Sequence, residues 1–529
     1  MVYHRADQVF GGDVDALALF RNRDVPRSIR EAIICPVDYN NPTAVDPDPG
    51  TSFVTQAELD AWLVAHGATA IKHVAAAWRS FNLVGTRLVT LSLAAGVHRP
   101  MNPDPLGGNA AWSFDQKTPL STRIPSSSLR GMRIIGAPPS QWLPVVATPG
   151  APLIVTSVDS GSVSEDPTVG VSGTPFLGLD IKGWYAVFNT GQTTVIHDHT
   201  ASALRVCANV SPTPTSVWVG RPSTILRNSI DDATDYKSGA IFVDMADPNR
   251  GTVMLQDLSV EPFQGGGVHI STLSCRFVGT RLLIDGRTPY EAFSVAPNGR
   301  VFQDGGHVPT FLTDVSVVNT VAGQDGALWV ISAGSSASLN ACYFRLTESS
   351  WFSFGYLILR NTVFDEVGNL SEGEMGSIIM TASDLCPYKA APFGKKNEIR
   401  NVPSGISAIA LLERASIAGV LYRAPGGVRD TSLIIKDVAA APCVRLGRDC
   451  RVWLTDTPTA TITDGGNPLA TCGFQFYDEG STLDLDDDTA ITGIEGDVKF
   501  TDQTTATYSD IRDNGPLMDG YGNLARGKT

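Results

Sequence analysis

The chain has 529 residues, 43% hydrophobic and 18% charged, enough apolar content to bury a core along most of its length. Its formal charge is −14, from 54 acidic and 40 basic residues without a basic stripe, which argues against a nucleic-acid backbone as partner. No run reaches the roughly 18 apolar residues of a membrane-spanning helix. With 51 glycines and 33 prolines between short apolar runs, the text is that of an all-β chain with many turns.

The opening residues, MVYHRADQVFGGDVDALALF, lack a basic segment followed by an apolar core, so no secretory signal is expected. Residues 1–50 hold one short apolar run, Ala32 to Cys35, and are broken by Pro42, Pro47 and Pro49. They read as an extended arm or attachment segment, or as a loosely packed leader. Eight cysteines are scattered at 35, 207, 275, 342, 386, 443, 450 and 472 with no CxxC pair. Buried free thiols, no zinc and folding in a reducing cytoplasm are the expectation.

Residues 51–84 carry the clearest helix signals. Thr55 and Glu58 have capping-box spacing, followed by Leu59, Trp62 and Leu63, and Gly67 supplies a stop. A second helix is expected from Ala70 to about Ser80. From Arg87 to Gly96 the period changes from 3.6 to 2, with Val89, Leu91 and Leu93 alternating, which marks a first strand of a β structure. Between 137 and 222 less regular rungs are expected at Pro152–Val158, Phe176–Ile181, Trp184–Phe188, Thr193–His197, Ala203–Val210 and Val217–Val219.

From Ser223 to Asp456 one phrase returns: apolar residues, usually one polar residue, then Asn or Asp. It ends at Asn228, Asp257, Asp285, Asp314, Asn340, Asn361, Asn401, Asp437 and Asp456. Steps of roughly 20 to 30 residues, stretched to 40 before Asn401 and 36 before Asp437, are those of a solenoid. A lone rung cannot bury its apolar side and is stabilised only by stacking. Leu226, Leu255, Leu283, Leu312, Leu359, Ile399, Ile435 and Leu454 each stand two before the Asn or Asp, and are expected to stack as one aliphatic ladder. Leu339 stands one before Asn340, so that rung is expected to shift register or bulge. The terminal Asn or Asp suits a left-handed turn and is read as architecture. A propeller would need about four strands per near-constant 40-residue blade, and a leucine-rich repeat a fuller phrase with a helix per unit.

The helix, the alternating strand ending in AAG with His98 beyond it, and LRGMRIIG at Leu129–Gly136 together resemble the entry to pectate-lyase-like right-handed β-helices of phage tailspike and tail-fibre proteins. The resemblance covers about Thr55 to Asp456. It implies a right-handed single-stranded parallel β-helix with a short N-terminal helical cap. The expected organisation is an attachment arm (1–50), cap (51–84), β-helix body with loop insertions (85–456), short-strand region (457–507) and tail (508–529). It also implies a homotrimer in the virion, joined to other virion proteins through the N-terminal segment and contacting bacterial surface polysaccharide. Two further functions stand beside attachment: cleavage of that polysaccharide as a hydrolase or lyase, and a purely structural decoration or baseplate role.

No catalytic residue can be assigned, and neither a cofactor nor a metal is expected. His197 and His199 flank Asp198, and strand alternation would put both rings on one face. Carboxylates that could flank a glycosidic bond include Asp231, Asp232 and Asp235 beside Lys237, then Glu348, Glu366, Glu372 and Glu374. The acids Asp484 to Asp488 read as a solvated turn. The aromatic run Trp351, Phe352, Phe354 and Tyr356 is the densest aromatic patch, with strand interior or subunit contact as its plainer reading. Gly265 to Gly267 form no phosphate loop.

Overall fold

The computed structural model describes residues 33–48, 50–81, 88–99, 112–113, 131–159, 167–227, 241–243, 252–261, 268–271, 276–286, 293–296, 309–319, 328–330, 336–346, 356–368, 377–381, 396–420, 432–453, 459–464, 471–485, 489–492 and 497–527. The chain is all-β, mostly in parallel sheets, with a short helical region near its start. Helix α1 (Gln56–Ala65) forms where the sequence predicts it, and its capping box closes: Glu58 N donates to Thr55 Oγ1 at 3.2 Å and Thr55 N to Glu58 Oε2 at 3.1 Å. Helix α2 spans Val74–Ser80. Leu59, Leu63, Val74, Ala77 and Phe81 join one core with Ile33, Val89 and Leu91, so the helices pack on the first strands.

Two parallel ladders run along the chain. The first links Ile33–Val37, Leu88–Leu93, Gly131–Ile135 and the opening halves of Thr252–Glu261 and Arg276–Gly286. It continues through Pro309–Thr313, Ser336–Asn340, Tyr356–Arg360, Ser377–Thr381, Ser416–Val420, Arg451–Trp453, Thr482–Leu485 and Leu524–Gly527. The second links Gly96–His98, Thr224–Arg227, the closing halves of the two long strands, Ser316–Asn319, Tyr343–Leu346, Val363–Asp365, Lys396–Arg400, Ser432–Val438, Thr459–Asp464 and Thr489–Thr492. A third face carries two shorter parallel sheets, the later of which joins Ile409–Glu413, Pro442–Arg448, Cys472–Phe476 and Val498–Lys499. The chain visits first ladder, second ladder and third face in turn, as at 377–381, 396–400 and 409–413, and then begins again at 416–420.

Register explains the repeated phrase and corrects one expectation about it. Leu255, Leu312, Leu339 and Leu359 do share a buried column, with Cys35, Leu91 and Ile134. Leu226, Ile399 and Ile435 belong instead to the second ladder, in a column with Val260, Ile284, Val317, Phe344 and Phe364. Leu283 lies on the outer side of that ladder, and Leu454 falls outside the described residues. The single ladder is therefore two, because the phrase marks any strand that ends at a left-handed bend and each circuit has more than one.

Asp257, Arg281, Asp314, Ala341 and Asn361 occupy the equivalent bend between the ladders, with φ of 58°, 50°, 52°, 54° and 48°. Glu366, Asn401 and Asp437 occupy the next, at 61°, 51° and 59°. The expected irregularity at Asn340 does not occur. Leu339 pairs with Leu312 and Leu359, and the bend passes to Ala341. Asp285 is likewise no bend but lies within a strand, and Arg281 turns the chain there. Asn228 and Asp456 lie outside the described residues.

The strands between 143 and 221 are not rungs of the stack. They pair antiparallel: Leu153–Asp159, Thr168–Val171, Ala203–Val206, Thr193–His199, Tyr185–Phe188 and Ser216–Arg221 close a ring, with Leu143–Val146 on the last of them. Phe176–Ile181, expected as a strand, is a turn. The ring has its own core of Val169, Phe176, Ile181, Phe188, Ile196, Leu204 and Val219. These residues fill a closed antiparallel sheet, so they need no neighbouring rung to bury them.

At the other end, residues read as a tail form helix α3 (Tyr508–Asn514), whose Thr507–Asp510 capping box is closed, and the strand Leu524–Gly527 of the first ladder. Ile511, Ala506 and Ala525 extend the same core. Cys35, Cys207, Cys342, Cys443, Cys450 and Cys472 are buried thiols in no disulfide, as expected, while Cys275 and Cys386 lie outside the described residues.

Candidate functional site

Two places gather chemistry-bearing side chains. The first is the seam where the antiparallel ring sits on the outer side of the second ladder. Register stacks Arg345, Asp365 and Arg400 on successive rungs there. Asp365 is 1% exposed at its side chain and accepts hydrogen bonds from Arg400 Nη2 (2.9 Å), Tyr343 Oη (2.9 Å) and Asn401 Nδ2 (2.6 Å), with Lys182 Nζ at 3.9 Å. Arg400 Nη2 also donates to the carbonyl oxygen of His197 at 2.6 Å, which fastens the ring to the ladder. Arg345 bridges Asp180 at 2.7 Å and Glu366 at 3.2 Å. Glu398, fully buried, meets Lys436 Nζ at 2.5 Å.

Burial pushes the Asp365 carboxyl up, but the hydrogen bond and charge of Arg400, with Asn401 and Lys182, outweigh it and hold it below the usual carboxylate range. With its oxygens occupied and its proton held off, Asp365 is an anchor and not a proton donor. Nearby, Tyr185 Oη donates to the carbonyls of Leu282 (2.7 Å) and Asp314 (2.9 Å). Trp142, Tyr185, Val187 and Trp218 pack on Leu283, Tyr343 and Val363. Gly183 completes the seam: its φ is +84°, and an added Cβ would lie 2.6 Å from Val318 Cγ2.

His197 and His199 do not form a pair. The register of their strand shifts between Ile196 and Asp198, so simple alternation fails. His197 is buried against Arg400, whereas His199 meets the ring of Phe176 edge-on at 6.3 Å. Of the carboxylate candidates, Glu366 pairs with Arg345. Asp231, Asp232, Asp235, Lys237, Glu348, Glu372 and Glu374 lie outside the described residues, as do Trp351, Phe352 and Phe354 and Gly265 to Gly267. Tyr356 opens a first-ladder strand. Among the described residues no group of three His, Cys, Asp or Glu is arranged to hold a metal.

The second place is the outer surface near the C-terminal end of the stack, which sequence reasoning missed. Trp453, Tyr477 and Tyr521 are 46%, 43% and 53% exposed. Arg451 lies over the Trp453 ring at 4.9 Å and Arg445 over the Tyr477 ring at 4.1 Å. Trp453 is the register neighbour of Asp484, which holds Arg526 through two hydrogen bonds of 2.6 and 3.0 Å. Asp484 is thus mostly buried and ion-paired within a strand, not part of a solvated turn, while 486–488 lie outside the described residues. Strand alternation was the available signal: Val452 and Phe476 turn inward, which sends Trp453 and Tyr477 outward.

No protein-family model and no curated protein sequence matches the chain. Two solved structures are similar over most of its length. The Gp54 tailspike of Acinetobacter baumannii bacteriophage AP22, in complex with A. baumannii capsular saccharide, is 9% identical, with 87% of this chain and 80% of that one covered and a TM-score of 0.22. The Pseudomonas phage phi297 tailspike gp61 is 11% identical, with 88% and 82% covered and a TM-score of 0.23. Likeness at such scores defines no shared function, which has to be read from the chain's own residues.

Proposed function

We propose that the chain is a virion surface protein of the tailspike or tail-fibre kind, which attaches the particle to bacterial surface glycan. In this reading the ladders wind as a right-handed parallel β-helix, α1 and α2 close its first coil, and three copies assemble. The attachment segment expected over residues 1–50 is confined to the part before Ile33, because Ile33–Val37 is built into the first ladder and its core. The fixed order in which the chain visits its ladders, around one continuous apolar core, supports the winding. The observation that carries the function is the exposure of Trp453, Tyr477 and Tyr521 beside arginines at one end of a rigid stack. Flat aromatic faces take the apolar faces of sugar rings, and arginines take their hydroxyl and carboxylate oxygens.

Attachment is favoured over cleavage by the state of the buried carboxylates. Hydrolysis needs two acids free to exchange protons beside the substrate. Among the described residues Asp365, Glu398 and Asp484 are each committed to cations, and Asp314, the one carboxyl pushed up by burial, has its Oδ1 buried without a second free acid beside it. A Trp453→Ala, Tyr477→Ala double variant that keeps the parent's melting temperature is expected to lose at least tenfold in retention on the immobilised surface polysaccharide that retains the parent. Equal retention by the variant would refute this surface as the contact. A parent that no polysaccharide from a broad bacterial panel retains would favour a purely structural role in the particle.

A further inference from the structure

The third face of the stack, at its C-terminal end, carries two cations that no carboxylate among the described residues pairs with. Register places Ala410, Arg445, Gln475 and Lys499 side by side on four successive rungs. Their neighbours Val444, Leu446, Phe474, Phe476 and Val498 are in the core, so this column lies on the other side of the sheet, where Ala410 and Gln475 are covered and Arg445 and Lys499 are half-buried. The adjoining arginines are all neutralised: Arg448 by Asp478 and Glu479, Arg451 and Arg526 by Asp484. Arg445 and Lys499 have no ion-pair partner among the described residues, and Arg445 Nε is buried without a hydrogen bond.

Arg445 is also held in place. Its guanidinium lies 4.1 Å from the centroid of Tyr477, so a ligand need not immobilise it. Gly447, two residues after Arg445 on the same strand, admits no side chain, because an added Cβ would fall 2.0 Å from the carbonyl oxygen of Leu412. Rungs are spaced at about 4.8 Å, which puts Arg445 and Lys499 about 10 Å apart with the Gln475 amide between them.

We propose that this column binds an acidic glycan, lying along the stack axis, through carboxylates on sugar residues that Arg445 and Lys499 meet in turn. The proposal rests on the attachment reading and specifies its ligand class. A nucleic acid does not fit, because two cations cannot offset a phosphate at every nucleotide against a net negative chain. An acidic peptide would satisfy the charges but brings no sugar ring to the partly exposed face of Tyr477.

The test is calorimetric titration of the full chain with a hexuronate oligosaccharide, using a neutral glucose oligosaccharide of the same length and oligoglutamate as comparisons. The hexuronate is expected to bind, to weaken steeply between about 50 and 200 mM salt, and to lose at least tenfold in affinity in Arg445→Gln and in Lys499→Gln. The neutral oligosaccharide and oligoglutamate are expected not to bind. Arg205→Gln, on the antiparallel ring and already paired with Asp198, should change hexuronate affinity less than twofold. Unchanged binding in both Arg445→Gln and Lys499→Gln overturns the proposal, as does equal binding of oligoglutamate. If polysaccharides of neutral sugars retain the chain but the hexuronate does not bind, this proposal fails and attachment stands. If no glycan is bound at all, both fail.

Discussion

Asp365 shows how much one residue can hold at the seam. Removing it leaves Arg400, 5% exposed at its side chain, without its closest counter-charge, and breaking a buried pair in this way typically costs about 3 to 5 kcal/mol. Asp365→Ala is therefore expected to lower unfolding free energy by about 3 kcal/mol in denaturant titrations. Because the folded carboxyl is held below its unfolded value of about 4, its contribution is complete above that pH and is lost as pH falls through the folded value. The parent's acid-side loss of stability should be shallower in Asp365→Asn.

Asp314 has the opposite sign. Burial, partly offset by Arg281, pushes its carboxyl up to about 7, and its Oδ1 has no hydrogen-bond partner. The folded state then keeps a proton that the unfolded state releases near pH 4, so this group's stability is fully present below pH 4 and is lost as pH rises to about 7. Asp314→Asn should remove that loss and melt higher than the parent at pH 8. A variant melting below the parent at pH 8 would contradict the assignment.

At the scale of elements, the bends decide which parts of the fold can be read in sequence. Asp257, Asp314, Asn361, Asn401 and Asp437 are legible because a left-handed residue favours Asn and Asp. Ala341 and Arg281 do the same work and are invisible, since neither residue type signals a positive φ. The register around them makes the bend obligatory, so the phrase at SLN looks displaced by one when the strand is not. Asn361→Gly should be tolerated, whereas Asn361→Val is expected to cost about 2 kcal/mol, because a β-branched residue is strained there. At the seam, Gly183→Ala adds both a left-handed methyl and an overlap with Val318, and is expected to destabilise by about 1 to 3 kcal/mol. Limited proteolysis of that variant should cut between the ring and the ladder, at the stretch before Ser223.

At the scale of the molecule, the stack was legible and the ring was not. Residues 143–221 have strand-like alternation, but alternation is the same for parallel and antiparallel partners, and only the pairing tells them apart. The exposed aromatics were missed for a related reason: Trp453 and Tyr477 stand alone in the text and approach arginines only through register and packing. On the proposed reading, the stack presents a glycan-facing surface without cleaving what it binds. The direct measurement is sedimentation of the full chain with intact host bacteria, before and after their surface polysaccharide is stripped, with the supernatant assayed for released oligosaccharide. Cosedimentation that disappears on stripping, with no oligosaccharide released, is the predicted result; cosedimentation that survives stripping, or steady release of oligosaccharide, would contradict it.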